Sequence, residues 1–197
     1  MESEQKKEKK LSWQKNAVLY LHDLIYALAV LMIVFLLLFR VVVVSGSSMY
    51  NTLMDGDCLL VISNLFCGDP KQGDIIVASK ESFDDGAPII KRVIATEGQT
   101  VDIDFEAGIV YVDGEALDEP YTYTPTTTHG ATQFPLVVEE GCLFVMGDNR
   151  GISRDSRYME IGQIDCREVI GKAVFLVMPG THKGAHERDF SRIGVLT

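Results

Sequence analysis

A chain of 197 residues with 47% hydrophobic content has room for one ordinary domain and a membrane segment. Its formal charge of −10 is uneven: residues 1–16 hold five Lys and three Glu, whereas residues 41–197 hold twelve basic and twenty-four acidic side chains. A domain this acidic is poorly matched to a phosphate backbone, which argues against nucleic acid as a partner.

The first element is an apolar run from Ala17 to Val44, interrupted near its ends by His22, Asp23 and Arg40. Its uncharged core, Leu24 to Phe39, gives roughly 24 Å of helix at about 1.5 Å per residue. With tolerant flanks and a snorkelling Arg40 it reaches the ~30 Å of a hydrocarbon layer. Trp13 and Tyr20 stand where interfacial aromatics are useful. The run is longer than the apolar part of a cleaved signal peptide, and no convincing small-x-small site follows it. We therefore expect a cytoplasmic segment over 1–16, a single retained anchor over 17–44 and an extracytoplasmic domain over 45–197. Lys6, Lys7, Lys9, Lys10 and Lys15 place the N-terminus inside by the positive-inside rule.

Directly after the anchor stands Ser45-Gly46-Ser47-Ser48-Met49-Tyr50-Asn51-Thr52-Leu53, a polar stretch that reads either as a flexible stalk or as an active site held against the bilayer. Beyond it the pattern changes. Asp57–Ser63, Asp74–Ala78, Ile89–Ala95, Thr100–Asp104, Ile109–Asp113, Cys142–Met146 and Val169–Met178 are short, rich in Val and Ile, and bounded by Gly-Asp, Asp-Pro or Asp-Gly punctuation. They predict strands, with a hairpin around Glu106-Ala107-Gly108 and a turn at Val112–Glu115. No long amphipathic helix follows residue 45, so the domain is mostly β. Residues 117–135, with Pro120, Pro125, Pro135 and a Thr cluster, read as a loop insertion. Residues 180–197 are polar and mixed, and carry no functional signal.

The cysteines Cys58, Cys67, Cys142 and Cys166 form no CxxC pair, so a zinc site is unsupported. An extracytoplasmic setting permits disulfides in any of three pairings, although free thiols beside apolar strands are the simpler reading. His22, His129, His182 and His186 lie outside any strand-and-turn context beside a serine, so nothing points to a Ser-His-Asp triad. A different base stands in Ile89-Ile90-Lys91-Arg92-Val93-Ile94. Lys91 either alternates to solvent or points into an apolar cleft, where desolvation would free an amine able to take a proton from serine. By itself the solvent position is the commoner outcome for Lys91, as a plain loop is for Ser48. A third stretch, Gly147-Asp148-Asn149-Arg150-Gly151-Ile152-Ser153-Arg154-Asp155-Ser156-Arg157, is either an exposed loop with weak surface ion pairs or a support in which Ser153 orients the lysine and Asp155–Arg157 holds the loop.

Taken in order, Ser-Gly-x-Ser-Met-x-x-Thr-Leu after an anchor, Gly56-Asp57, Gly73-Asp74-Ile75-Ile76, Lys91-Arg92-Val93-Ile94 and the Gly147–Arg157 loop resemble the successive boxes of type I signal peptidases. The resemblance covers the chain from the anchor to about Pro179. It implies a largely β catalytic domain, of the kind shared with LexA-type self-cleaving repressors, and needs no metal or cofactor. It implies Ser48 as nucleophile and Lys91 as general base, with Ser153 hydrogen-bonded to the lysine. Asp155, Arg157, Asp148 and Asn149 would support the site, Gly46 would allow close backbone approach, and Met49 would be apolar cover. The implied activity is removal of signal peptides from preproteins after small residues of the Ala-x-Ala type, by a monomer that contacts membrane lipid. Three positions depart from the usual pattern. Asn51 replaces proline, Thr96-Glu97-Gly98-Gln99 replaces Leu-Pro-Gly-Asp, and Gly46 stands where Gram-negative members carry an oxyanion-donating serine, as in Gram-positive members. A repressor is excluded by the anchor and the missing helix-turn-helix; a specialised processing peptidase and a catalytically silent β binding module stay open as rivals.

Overall fold

The computed structural model describes residues 2–181 and 188–196, so His182 and His186 lie outside the described residues. Helix α1 spans Glu2–Leu38, and its stretch Asn16–Leu38 is long and apolar enough to cross a membrane. The chain divides into two compact units, Met1–Leu38 and Phe39–Thr197. The helix stops earlier than the apolar run does. Phe39–Val43 forms strand β1 and pairs antiparallel with strand β2, Cys58–Ser63, from Phe39↔Ile62 to Val43↔Cys58. The expected anchor over 17–44 thus contains a strand at its end. Consecutive valines are weak helix formers and strong strand formers, and here they have a partner strand to pair with.

After β2 come a helical turn α2 (Asn64–Cys67) and strands β3 (Ile75–Ser79), β4 (Pro88–Thr96), β5 (Thr100–Asp104), β6 (Ile109–Val112) and β7 (Glu115–Ala116). Then follow β8 (Leu136–Val137), β9 (Cys142–Met146), β10 (Ile164–Asp165), β11 (Val169–Met178) and β12 (Gly194–Val195). The domain is mostly β, as expected. An eight-stranded sheet runs β1-β2-β11-β3-β4-β9-β10, with β12 alongside β11, and a four-stranded sheet runs β7-β6-β5-β8. Of the aspartates placed at strand ends in the sequence, Asp57, Asp74 and Asp113 lie outside the strands while Asp104 closes β5; a carboxylate beside a turn can bond backbone N–H groups. Asp74 accepts from Lys71 N–H at 2.9 Å, and Asp113 (φ 53°) with Gly114 (φ 83°) forms the tight turn between β6 and β7.

Burial follows the pleat. In β2 the side chains of Leu59, Val61 and Ser63 alternate inward, and in β5 Val101 and Ile103 face the core while Asp102 and Asp104 face out. β4 differs, being buried from Ile89 through Ala95 on both faces. Ile90 joins a cluster with Val44, Met49, Leu53, Leu59 and Val61, while Ile94 and Ala95 meet Val101, Val110 and Phe144 between the sheets. Lys91 and Arg92 are therefore carried on a strand buried over seven consecutive residues. Residues 117–135 are irregular, yet they are not a free excursion. Thr126 is buried, Tyr123 N–H donates to the Asp148 carbonyl at 2.9 Å, and Thr124 bridges to Asn149. The four cysteines are free and half-buried.

Candidate active site

Two segments converge on one serine. The first is the loop from Val44 to Asp57, entered through Gly46, whose φ of +88° favours glycine and whose N–H donates to Asp55 Oδ1 at 2.8 Å. Met49 and Leu53 turn inward and are buried in the cluster that contains Val44 and Ile90. Met49 is thereby an anchor under the loop, and it also lines the cleft above. Held this way, Ser48 presents its hydroxyl to β4. The second segment is the stretch after β9. Asn149 N–H donates to the Ser48 carbonyl at 2.9 Å and its side-chain amide to the Ser47 carbonyl at 3.1 Å. A Cβ on Gly147 would overlap the Ser48 carbonyl and the Ser153 side chain, so the approach of the two segments requires a glycine.

Lys91 Nζ donates to Ser48 Oγ at 3.0 Å and to the Ile90 carbonyl at 3.2 Å. Only 5% of Lys91 is exposed, so of its two readings the structure shows the cleft. Burial brings the amine from the ordinary 10.5 down to about 8, against the opposite pull of Asp155 and Asp148. A substantial fraction is then neutral near physiological pH. A neutral amine within hydrogen-bond reach of a hydroxyl can accept its proton, and a serine so relieved is a nucleophile.

Around the pair stand three buried arginine–carboxylate contacts. Arg157 grips Asp155, with Nε to Oδ1 at 2.8 Å and Nη2 to Oδ2 at 2.9 Å, and Asp155 Oδ2 accepts from Gly147 N–H at 3.1 Å. Arg157 also reaches the carbonyls of Arg150 and Thr128, at 2.8 and 3.0 Å. Arg92 binds Asp148 through Nε at 3.0 Å and Nη2 at 2.9 Å, while Thr52 Oγ1 donates to the same carboxylate. Arg150 meets Glu119 from the insertion and donates to the Gly147 carbonyl at 3.0 Å. Asp148, Asn149, Asp155 and Arg157 are thus assembled beside Ser48. Ser153 is different: its Oγ is buried beside Gly147 and makes no hydrogen bond among the described residues, so the expected bond to the lysine is not formed here.

Arg92, Arg150, Glu119 and Thr52 received no role in the sequence reading. Arg92 carried one usable signal: it follows Lys91 in a strand whose every neighbour is apolar, so alternation sends it into the opposite layer, where a charge needs a partner.

The site opens into a cleft of about 580 Å³ between the end of β1 and the start of β4, lined by Val42, Val44, Phe83, Ile89, Ile152 and Arg154 among others. The description "Signal peptidase, peptidase S26" matches residues 17–178. The chain belongs to this signal peptidase family. It is 39% identical over 149 residues to the probable signal peptidase I-1 of Synechocystis sp., covering 72% of each chain. It is 32% identical over 181 residues to signal peptidase I of Bacillus licheniformis, covering 87% of this chain and 95% of that protein. A crystal structure of a signal peptidase I from Enterococcus faecalis V583 aligns with a TM-score of 0.44 at 32% identity, over 53% of this chain and 96% of that one. Membership in a signal peptidase family identifies the chain as a hydrolase of peptide bonds.

Proposed function

We propose that this chain removes N-terminal signal peptides from exported preproteins, using Ser48 as nucleophile and Lys91 as general base. The observation that carries the reading is the 3.0 Å contact between Lys91 Nζ and Ser48 Oγ, made by an amine that burial has brought to about 8. Asn16–Leu38 crosses the cell membrane with the Lys-rich end in the cytoplasm, leaving residues 39–197 outside. A preprotein anchored in the same bilayer by its own apolar segment meets the cleft at raised effective concentration.

The substrate adds as an extended strand. β1 ends the large sheet, and β4 pairs with β9 only from Arg92 onward, so Pro88–Lys91 has a strand on one side alone among the described residues. Main-chain bonds to these edges and shallow pockets for small side chains suit an Ala-x-Ala segment. Lys91 takes the proton of Ser48 as Oγ bonds to the scissile carbonyl carbon. The oxygen of the tetrahedral intermediate is met by backbone donors, among them Ser48 N–H, which bonds no other described residue. The protonated lysine gives its proton to the departing amine and the C–N bond breaks. Water, deprotonated by the Lys91 amine, then attacks the acyl-serine ester, and Lys91 returns that proton to Ser48 Oγ as the C–O bond breaks. The buried Ser153 hydroxyl, which has no hydrogen-bond partner among the described residues, is the acceptor assigned to the Lys91 ammonium once the proton has moved. Asp148, Asn149, Asp155 and Arg157 hold the loops and have no part in proton transfer. The enzyme works as a monomer in contact with lipid.

The test uses membrane-inserted enzyme and a preprotein with an Ala-x-Ala site. Ser48→Ala and Lys91→Ala should each abolish cleavage, and kcat/KM of the wild type should fall on the acid side of about pH 8. Cleavage that survives either substitution, or a profile flat through that region, would sink the assignment.

A further inference from the structure

The loop that carries Ser48 is closed at its base by backbone bonds, Val44 N–H to the Asp57 carbonyl at 2.8 Å and Gly56 N–H to the Val44 carbonyl at 2.9 Å. At that base lies a fully buried carboxylate. Asp57 accepts from Met54 N–H and from Gly180 N–H, each at 2.7 Å, and from both terminal nitrogens of Arg192 at 3.0 and 2.6 Å. Arg192 also donates to the Thr52 carbonyl at 3.2 Å, and Thr52 in turn donates its hydroxyl to Asp148. The chain just after β11 is pressed against the same turn, since a Cβ on Gly180 would overlap the backbone of Asp55 and Gly56. A second attachment is apolar and independent of the charge pair. Leu196 packs on the cluster that holds Val44, Met49 and Leu53, its N–H donates to the Val174 carbonyl at 3.0 Å, and β12 pairs with β11.

We infer that residues 188–196 are a clamp on the nucleophile loop, with Arg192 as a positioning residue for Ser48. The inference rests on the reading of Ser48 as nucleophile. Its physical basis is that Arg192 is the counter-ion of a buried carboxylate, and that this ion pair sits at the base where the two ends of the loop are joined. None of the bonds made by Arg192 goes to Ser48 or Lys91, so its influence passes through the geometry of residues 44–57. The residues involved lie beyond the span 17–178 matched by the family description.

Full-length Arg192→Ala, Arg192→Lys, Leu196→Ala and Ser48→Ala enzymes in membranes, assayed on an Ala-x-Ala preprotein with rates corrected for the folded fraction, test the clamp. Misplacing a reacting atom by a fraction of an ångström to an ångström lowers turnover by about ten- to a hundred-fold. Arg192→Ala should show a kcat loss of that order with KM nearly unchanged, Arg192→Lys should recover part of it, and Leu196→Ala should lower kcat in the same direction by less. Wild-type kcat per folded molecule in Arg192→Ala overturns the clamp; if that variant yields no folded enzyme, Leu196→Ala, which keeps the ion pair, decides on the same criterion. Cleavage by Ser48→Ala would overturn the nucleophile assignment, an outcome separate from the clamp failing while Ser48→Ala is inert.

Discussion

At the scale of single residues, the site is built at a cost to the fold. Lys91 is brought from 10.5 to about 8 chiefly by burial, a displacement equivalent to about 3 kcal/mol. Below the folded value both states hold the proton and the penalty is complete. Between about 8 and 10.5 the unfolded chain still binds a proton that the folded one has released, so stability rises with pH across that window. Lys91→Met, of similar length and without charge, should therefore be more stable than wild type at pH 7 by up to about 3 kcal/mol, and inactive. Urea unfolding at pH 7 and again near pH 10.5 checks this: the difference should shrink at the higher pH, and a variant less stable at both values contradicts it. Asn51 belongs to the same scale. Its φ of 86° lies far from the −65° to which a proline ring is confined, so this turn, as built here, uses a residue that tolerates the left-handed region in place of the family's proline.

At the scale of elements, legibility depended on length and on uniqueness of pattern. Thr100–Asp104, Cys142–Met146 and Val169–Met178 agree with β5, β9 and β11 to the residue, because each is an alternating or apolar stretch with its own turn punctuation. β7, β8, β10 and β12 are two residues long, too short to show a period. β1 was hidden for another reason: a valine run satisfies lipid and sheet equally well, and only its pairing with β2 separates the two. For the site, the resemblance named Ser48, Lys91 and the 147–157 loop, whereas composition could not say that residues 117–135 would lean on that loop. They do so through charge. Glu119 faces the fully buried Arg150, which holds the Gly147 carbonyl. Removing one partner of a buried pair costs about 3–5 kcal/mol, so Glu119→Ala should lose stability of that order. Glu119→Gln, which still accepts a hydrogen bond, should lose less than half as much. Equal urea midpoints for Glu119→Ala and wild type would contradict the support.

At the scale of the molecule, the unit Phe39–Thr197 begins with a strand. A version shortened to start at Phe39 keeps β1 and its pairing, whereas one shortened to Ser45 loses an edge of the large sheet. The longer version should hydrolyse a soluble Ala-x-Ala peptide with kcat close to that of the full chain. On a preprotein held in vesicles it should fall about ten-fold or more, since the shared bilayer no longer concentrates the partners. Equal losses on both substrates would assign the anchor a role in the chemistry itself.

The open margins beside Ser48 have a consequence for handling the protein. Sheet edges are ordinarily blunted by charges, prolines or cover, because an unpaired edge recruits other extended chains. Here Val41 and Val43 are more than half exposed along β1, each 62%. If β1 must stay receptive to preproteins, it cannot be protected in that way. Unfolded polypeptide of any origin is then a competitor for the same margin. Concentrated preparations of the version that starts at Phe39, which lacks the apolar helix, should associate through β1, and an excess of preprotein should suppress that association.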